Sequence, residues 1–456
     1  MTLVAHETKD PRFVRSGVPQ QNINRLQLQD RAAHDWYRFV LSFPPHLVAD
    51  YLHKFGVAVD ELVLDPFCGT GTTLVECKKR CIASIGVEAN PMAYFASMVK
   101  TTWDISAENL LAEAHKIAQK VRRTLELDGV SDDHDLPLFG KHIKPVRTKL
   151  LSLPPEKMAL LLRDSISPVP LHKVLVLLNE IDRSSGMSNR SFFRLALASA
   201  LVESIGNLHF GPEVGVGPPR PDAAVAAEWV QRVETMAADM TILRPHRDVA
   251  THVLHADARS LPGLAEWLGP RKIAAVITSP PYPNEKDYTR TTRLESVLLG
   301  FINDKAQLQG FKRTLMRSNT RNVYKGDVDG QWVTSNASVQ TLSENIEARR
   351  LELGKTSGFE RMYAKVVELY FGGMARHLAS LRPLLKPGAM LAYVVGDQAS
   401  FFQIMIQTGT ILAQIAESLG YEIVALDLFR TRRATATRQQ LREEVLVLRW
   451  PGGKPT

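Results

Sequence analysis

The sequence predicts an α/β fold: a doubly wound mixed sheet that ends in an antiparallel hairpin and carries a helical insertion. Three observations predict it. Residues 36–100 run helix, strand, glycine-rich turn, helix, strand and helix, the order of a βαβ unit. Further on, THVLHADA and AAVITSPPY are short apolar runs that stop in polar or turn residues, as buried parallel strands do. Near the end, YEIVALDLF and EVLVLRW flank a short loop, the pattern of a β-hairpin.

An N-terminal extension, residues 1–35, precedes the first unit. WYRFVLSFPPHLVADYLHKFG then supplies a helix, ELVLDPFCGTGTTLVECKKR a strand, turn and helix, and IASIGVEANPMAYFASMV a second strand and helix. From 104 to 249 the pattern turns helical, with runs near 106–126, 171–183, 188–206 and 222–242. The acidic loop DGVSDDHD and the Pro/Gly-rich loop GPEVGVGPPRPD interrupt them. The α/β pattern resumes over 250–289, and a second insertion, 290–358, is rich in Arg, Asn, Ser and Gly. A long helix, YAKVVELYFGGMARHLASLRPLL, the turn KPGA and the strand MLAYVVGD lead into the hairpin. The α/β domain is therefore read as 36–103, 250–289 and 359–456.

At roughly 100–200 residues per domain, 456 residues suggest two to four such units. With 45% apolar and 23% charged residues the composition is that of a globular protein with a sizeable core, which excludes global disorder. A net charge of +8 suits a polyanionic partner without dictating the fold. The opening MTLVAHETKDPR lacks the apolar core of a signal peptide and no run of ~18 apolar residues occurs, so a cytoplasmic protein without a membrane is expected. Cys68, Cys77 and Cys81 fit neither a disulfide framework nor a zinc site and read as small buried residues.

The first candidate site is Asp65-Pro66-Phe67-Cys68-Gly69-Thr70-Gly71-Thr72-Thr73, at the carboxyl end of a strand. Its glycines permit a tight turn and close backbone approach to a ligand at the next helix N-terminus, so a nucleoside-bearing cofactor fits. A dinucleotide fingerprint would place glycine where Leu74 stands, and no Gly-Lys-Ser/Thr follows to make a P-loop. Glu88 ends the second strand, where a carboxylate can accept both hydrogen bonds of a ribose diol; a helix N-terminal acid ahead of Asn90-Pro91 is the plainer reading. Asp257 ends THVLHAD and is either a third such carboxylate or a cap ahead of LPGLAEWL.

The second candidate site is Thr278-Ser279-Pro280-Pro281-Tyr282. Two prolines donate no backbone hydrogen bonds, so they hold a rigid loop whose carbonyls remain acceptors. That suits an amino group as substrate. The amine of a nucleobase is a poor nucleophile because its lone pair is delocalised; accepting its two N–H bonds at Ser279 and Pro280 would localise that pair, while Tyr282 stacks on the base. The plainer reading is a Pro-Pro turn with a packed tyrosine.

Together, LVLDPFCGTGTT and TSPPY resemble the cofactor and catalytic motifs of the S-adenosylmethionine-dependent amino methyltransferases of DNA, the second in the form typical of cytosine-N4 enzymes; adenine-N6 enzymes more often have Asp or Asn in place of Ser279. SFPPHLVADYL, GVEANP, HADA and LLKPGAMLAYVVGD extend the resemblance over roughly 36–100 and 250–450. It implies a Rossmann-like methyltransferase sheet and S-adenosyl-L-methionine as cofactor. Asp65, Phe67 and Gly69 to Gly71 would line its methionine part, with Pro66 and Thr72 also among the cofactor-binding residues, Glu88 its ribose and Asp257 the surroundings of its adenine. Ser279, Pro280, Pro281 and Tyr282 would form the catalytic loop on a base flipped out of double-stranded DNA, since the amine of a paired base is inaccessible. A companion restriction system is the partner such enzymes imply.

Both insertions lie outside the resemblance, and the largest falls between the second and third strands rather than after the third. Ligands of open α/β sheets bind at the carboxyl ends of the strands. The 290–358 insertion leaves from that edge and is the favoured target-recognition segment. Its FKRTLMRSNTRNVYK, 311–325, has five basic residues and no acid, with Phe311, Tyr324 and then Trp332 interleaved. RTRRATATRQQLR, 430–442, again has five. Phosphate contact with stacking suits both runs, a solvated surface being the alternative. No Pro-Cys dipeptide is present, which argues against a cytosine-C5 enzyme; direct in-line attack by the amine on the sulfonium methyl is expected, with proton loss to water. The expected activity is cytosine-N4 methylation of DNA, with adenine-N6 methylation, an RNA amine, or a DNA-binding protein without catalysis as rivals.

Overall fold

The computed structural model describes residues 26–27, 30–38, 43–132, 149–184, 186–210, 214–433 and 440–453. Most of the N-terminal extension, Ser42 of SFPPHLVADYL, the end of the acidic loop, the start of the Pro/Gly-rich loop and 434–439 of the second basic run lie outside them. Nine strands are described: β1 (Leu62–Asp65), β2 (Ala83–Glu88), β3 (Leu208–Phe210), β4 (Val214–Val216), β5 (Thr251–His255), β6 (Ile273–Thr278), β7 (Leu385–Gly396), β8 (Glu422–Arg433) and β9 (Gln440–Arg449).

Seven of them form one sheet in the order β5-β2-β1-β6-β7-β9-β8; β3 and β4 form a separate antiparallel pair. The first five pair in parallel, while β7–β9 and β9–β8 are antiparallel, giving the mixed doubly wound sheet and its closing hairpin. β1 and β6 are neighbours although about 200 residues separate them, with Val63 beside Ala275 and Leu64 beside Val276. The chain leaves β1 toward β2 on one side, and β6 lies on the other. Strand order therefore reverses between them, and their carboxyl ends bound the crevice where such sheets take ligands.

Both faces of the sheet are covered, which explains the unbroken apolar runs of β1 and β6. On one face Val63, Ala275, Ile277, Ala392 and Val447 pack with Leu47, Val48 and Tyr51 of the helix Pro45–Lys54. On the other, Leu62, Leu64, Val87, Leu391 and Val395 pack with the helix Tyr363–Leu381 and with Val333, Val339 and Leu342 of the second insertion. The first insertion folds as helices Ala107–Leu127, Pro168–Ser184, Met187–Ala200 and Val225–Leu243 around Phe192, Phe193 and Trp229. That core joins Met92, Phe95 and Val99 of the helix Pro91–Lys100. Asn90 caps this last helix, accepting from the Met92 and Ala93 N–H groups at 3.0 and 3.4 Å, with Pro91 at the first turn.

Three local expectations change. KPGA is the start of β7, not a turn before it: the pairing shifts between Ile273–Leu385 and Ala275–Met390, and Gly388 takes φ 83°. The hairpin strands run further than their apolar stretches because the ladder continues through Arg430–Glu443 to Arg433–Gln440. Cys81 is exposed, unlike the buried Cys68 and Cys77. It adopts φ 60° at the end of the helix Thr72–Lys79, where its N–H reaches Lys78 and that of Ile82 reaches Cys77, a Schellman ending usually given to glycine. Among the described residues no helix is long and apolar enough to cross a membrane.

Candidate active site

A cleft of about 770 Å³ opens at the carboxyl ends of β1, β2, β5 and β6. Its floor is the glycine-rich loop. Gly69 and Gly71 take φ 51° and 84°, and a Cβ on Gly71 would lie 2.6 Å from the Ser97 hydroxyl, so the turn excludes a side chain there. The loop is held by Glu88: one carboxylate oxygen accepts the Gly69 N–H at 2.8 Å and the other the Asn90 N–H at 2.7 Å. Burial outweighs these bonds and pushes the Glu88 carboxyl up to about 7. Each of its oxygens can still accept a second bond, and the residue lines the cleft.

Asp65 stands behind the loop, not in the cleft wall. Its buried Oδ1 accepts the Thr278 hydroxyl at 2.6 Å and the Phe67 N–H at 3.1 Å. Asp65 thus ties the end of β1 to the end of β6, holding the two candidate loops at a fixed separation. Burial raises its carboxyl to about 6. Gly71 acts in the same indirect way, through the turn. Pro66, Phe67, Gly69, Thr72, Glu88, Asp257, Ser279, Pro280, Pro281 and Tyr282 all line the cleft, so residues from both motifs and from the segment after β5 share one space.

In the second loop the Ser279 hydroxyl donates to the Val394 carbonyl at 3.2 Å, which leaves its lone pairs as acceptors. The Tyr282 N–H donates to the Tyr288 hydroxyl at 3.3 Å. The Tyr282 ring packs on Gly396, where a Cβ would sit 2.9 Å from its Cε2. Burial, then the charge of Glu443, raises the Tyr282 phenol well above its ordinary value, so it stays a neutral aromatic surface. His377, buried beneath, joins the Ala258 carbonyl at 2.7 Å and the Tyr393 hydroxyl at 2.8 Å and lies against Phe67; burial lowers it to about 4, so it is neutral.

Asp257 lines the cleft but caps no helix; Gly263 occupies that position ahead of Leu264–Leu268. Its carboxylate is gripped instead by Arg259, whose Nε and Nη2 lie 2.7–3.1 Å away. The same guanidinium donates to Asp329 at 2.7 Å and to the Arg313 carbonyl at 2.8 Å, and Asp329 also takes Arg376 at 3.1 Å. Arg259 therefore pins the second insertion to the cleft. Sequence reasoning missed it; the only signal was its spacing of two from Asp257, which permits the fork, while Asp329 is 70 residues away.

The basic run 311–325 divides by burial. Arg317 is buried against Asp327 and Lys312 pairs with Asp287, so both hold the insertion together. Arg313, Arg321 and Lys325 are exposed. Arg313 and Arg317 both lie over the Tyr324 ring, at 5.1 and 5.2 Å, and Phe311 packs beside Leu160, Val297 and Ile302. Trp332 keeps 49% of its surface exposed. From the hairpin, Arg430 and Arg432 reach the cleft rim, where both pair with Glu443.

The amino-terminal part of the chain, residues 18–98, matches the N6/N4 DNA methylase family. The type II methyltransferase M.BsoBI of Geobacillus stearothermophilus is 23% identical over 450 residues, covering 90% of this chain and 83% of that protein. M.AvaI of Nostoc sp., also a type II methyltransferase, is 23% identical over 463 residues, with 93% and 87% covered. A shorter match, 37% over 67 residues, joins 15% of this chain to 12% of the type II methyltransferase M.MjaII of Methanocaldococcus jannaschii. The family match and these near full-length likenesses support a DNA methyltransferase of the N4/N6 amino type, a family that implies S-adenosylmethionine as methyl donor.

Proposed function

We propose that this protein transfers a methyl group from S-adenosyl-L-methionine to the N4 amine of cytosine in double-stranded DNA. The observation that carries the reading is the join between the two loops. Thr278, next to Ser279, is bonded to Asp65 at the start of the glycine-rich turn at 2.6 Å, so an amine acceptor and a nucleoside cradle face one cleft. The residues fit the cofactor: Gly69 lines the cleft at φ 51° with nothing within 4 Å of where a Cβ would stand, so a ligand can approach the backbone there, and Glu88 offers carboxylate oxygens to a diol.

When bound, the cofactor supplies an electrophilic methyl group. The protein does the rest by position. Ser279, its O–H donating a hydrogen bond to the Val394 carbonyl, accepts one amine N–H, and the Pro280 carbonyl accepts the other. Both dipoles also stabilise the positive charge that develops on nitrogen. Tyr282 stacks on the base, held by Gly396 and Tyr288. A serine in place of an acidic residue or asparagine is what favours cytosine. Exposed Arg313, Arg321 and Lys325 with Trp332 are available for phosphate contact and stacking, which supports the second insertion as the target-recognition segment. The type II designation of the relatives extends the reading to a companion restriction nuclease.

The test is transfer of label from S-adenosylmethionine to unmethylated plasmid DNA and, separately, to bulk tRNA, with Ser279→Ala as control. Label in DNA that Ser279→Ala abolishes, with S-adenosylhomocysteine binding retained, is the expected result. Label in tRNA alone, or full activity of Ser279→Ala, contradicts it.

A further inference from the structure

Beside the glycine-rich turn the cleft adjoins a recess. Arg38, Phe43, Pro44, Thr70 and Thr72 line both spaces, whereas His34 and Lys100 line the recess alone. Its free volume is about 20 Å³, little more than one water needs, so only the tip of a ligand enters. Lys100 ends the helix Pro91–Lys100 and is 1% exposed, yet its Nζ makes one hydrogen bond, to the Tyr37 carbonyl at 3.4 Å. Among the described residues no carboxylate pairs with it. A buried cationic side chain is costly to keep without a counter-ion, and three N–H donors are more than one long bond uses.

The surroundings say what the missing partner is. Among the described residues no acid lines the recess. The acids nearby are engaged: Glu76 takes His34 at 2.8 Å, Lys79 at 3.3 Å and Arg80, while Asp35 takes Arg31 at 3.5 Å. Exposed Arg38 brings a guanidinium that has no ion pair among the described residues, and Thr70 and Thr72 bring hydroxyls. Elsewhere the cleft's cations are matched, Arg259 with Asp257 and both Arg430 and Arg432 with Glu443. The recess therefore suits a small anionic group. Burial lowers the Lys100 pKa to about 7, but an amine donates N–H bonds in either state, and a guanidinium supplies charge at any working pH. The cofactor's sulfur carries three arms: adenosine, assigned to Glu88; the methyl, which must meet Ser279 and Pro280; and an amino-acid chain. That third arm ends in the molecule's carboxylate, and the recess opens beside the same turn.

We propose that Lys100, together with Arg38, grips the carboxylate of the cofactor's amino-acid arm and so selects the complete cofactor over a nucleoside that lacks this group. The inference rests on the methyltransferase reading above. It is tested by calorimetric binding to the full chain at pH 7, without DNA, of S-adenosylhomocysteine and of its decarboxylated analogue S-adenosyl-3-thiopropylamine. In Lys100→Met the affinity for S-adenosylhomocysteine falls roughly 10–100-fold, the loss of a charge-assisted hydrogen bond, while the analogue binds at least as tightly as to wild type. Arg38→Ala moves the ratio of the two affinities the same way by about threefold, as an exposed charge allows. A purely structural lysine would weaken both ligands alike; that result, or an unchanged ratio, overturns the inference. Should Lys100→Met not fold, an Arg38→Ala ratio equal to that of wild type overturns it. Wild-type protein that binds no S-adenosylhomocysteine overturns the parent reading instead.

Discussion

Replacing Arg259 with methionine keeps a long side chain and deletes the charge that fastens the second insertion to the cleft. Arg259 is buried and makes bonds of 2.7–3.1 Å to Asp257, 2.7 Å to Asp329 and 2.8 Å to the Arg313 carbonyl. Removing one partner of a buried charge network costs about 3–5 kcal/mol. Asp329 keeps Arg376 at 3.1 Å, and Asp257 is partly open to water, so the lower end applies, about 3 kcal/mol. At about 1.4 kcal/mol per factor of ten, opening of the segment becomes roughly 100-fold more frequent. Hydrogen exchange read by mass spectrometry should show that acceleration in 312–333, while the amides of β1 and β6 keep their protection. Arg259→Lys, which retains charge without the fork, should fall between. Exchange in 312–333 that stays within threefold of wild type would refute the assignment of Arg259 as the fastening.

Glu88 gives the proposed cofactor site a pH dependence. Its folded carboxyl holds a proton to about 7 against 4.5 when unperturbed, so the folded state binds the extra proton between these values and this contribution to stability is lost as pH rises through that window. A diol donates only to the ionised form fully, so S-adenosylhomocysteine affinity should rise from pH 6 to 8 with proton release in calorimetry, and Glu88→Gln should flatten that rise and weaken binding about tenfold. Gly396→Ala drives a Cβ to 2.9 Å of the Tyr282 ring; methyl transfer should drop at least tenfold while the thermal midpoint moves by only a few degrees, and unchanged kcat would dismiss the packing account. Changing Arg313, Arg321 and Lys325 together to alanine should flatten the dependence of log affinity for DNA on log salt by about 0.9 for each phosphate no longer neutralised; an unchanged slope would remove these residues from the interface.

What could be read from the sequence was local. The glycine-rich turn, Glu88 at the end of β2 and the Pro-Pro loop at the end of β6 each announce themselves within a few residues, because turn chemistry and strand ends are written in neighbouring positions. Contacts closed by the fold were not legible. Asp65 reads as a cofactor ligand but spends Oδ1 on Thr278, 213 residues away, and Arg317 reads as a phosphate contact but is buried on Asp327. Charge along a chain does not tell which side chains turn inward. Gly372 makes the same point: it looks like one of two glycines in a helix, yet a Cβ there would meet the Asp329 carbonyl oxygen at 2.0 Å, so it marks where the insertion sits on the helix.

The most direct test of the central claim is the identity of the methylated nucleoside. Plasmid DNA treated with the wild-type protein and S-adenosylmethionine, digested to nucleosides and resolved by mass spectrometry, should contain N4-methyldeoxycytidine. N6-methyldeoxyadenosine in its place, or DNA with no methylated base although S-adenosylhomocysteine binds, would contradict the assignment of Ser279–Tyr282 to the cytosine amine.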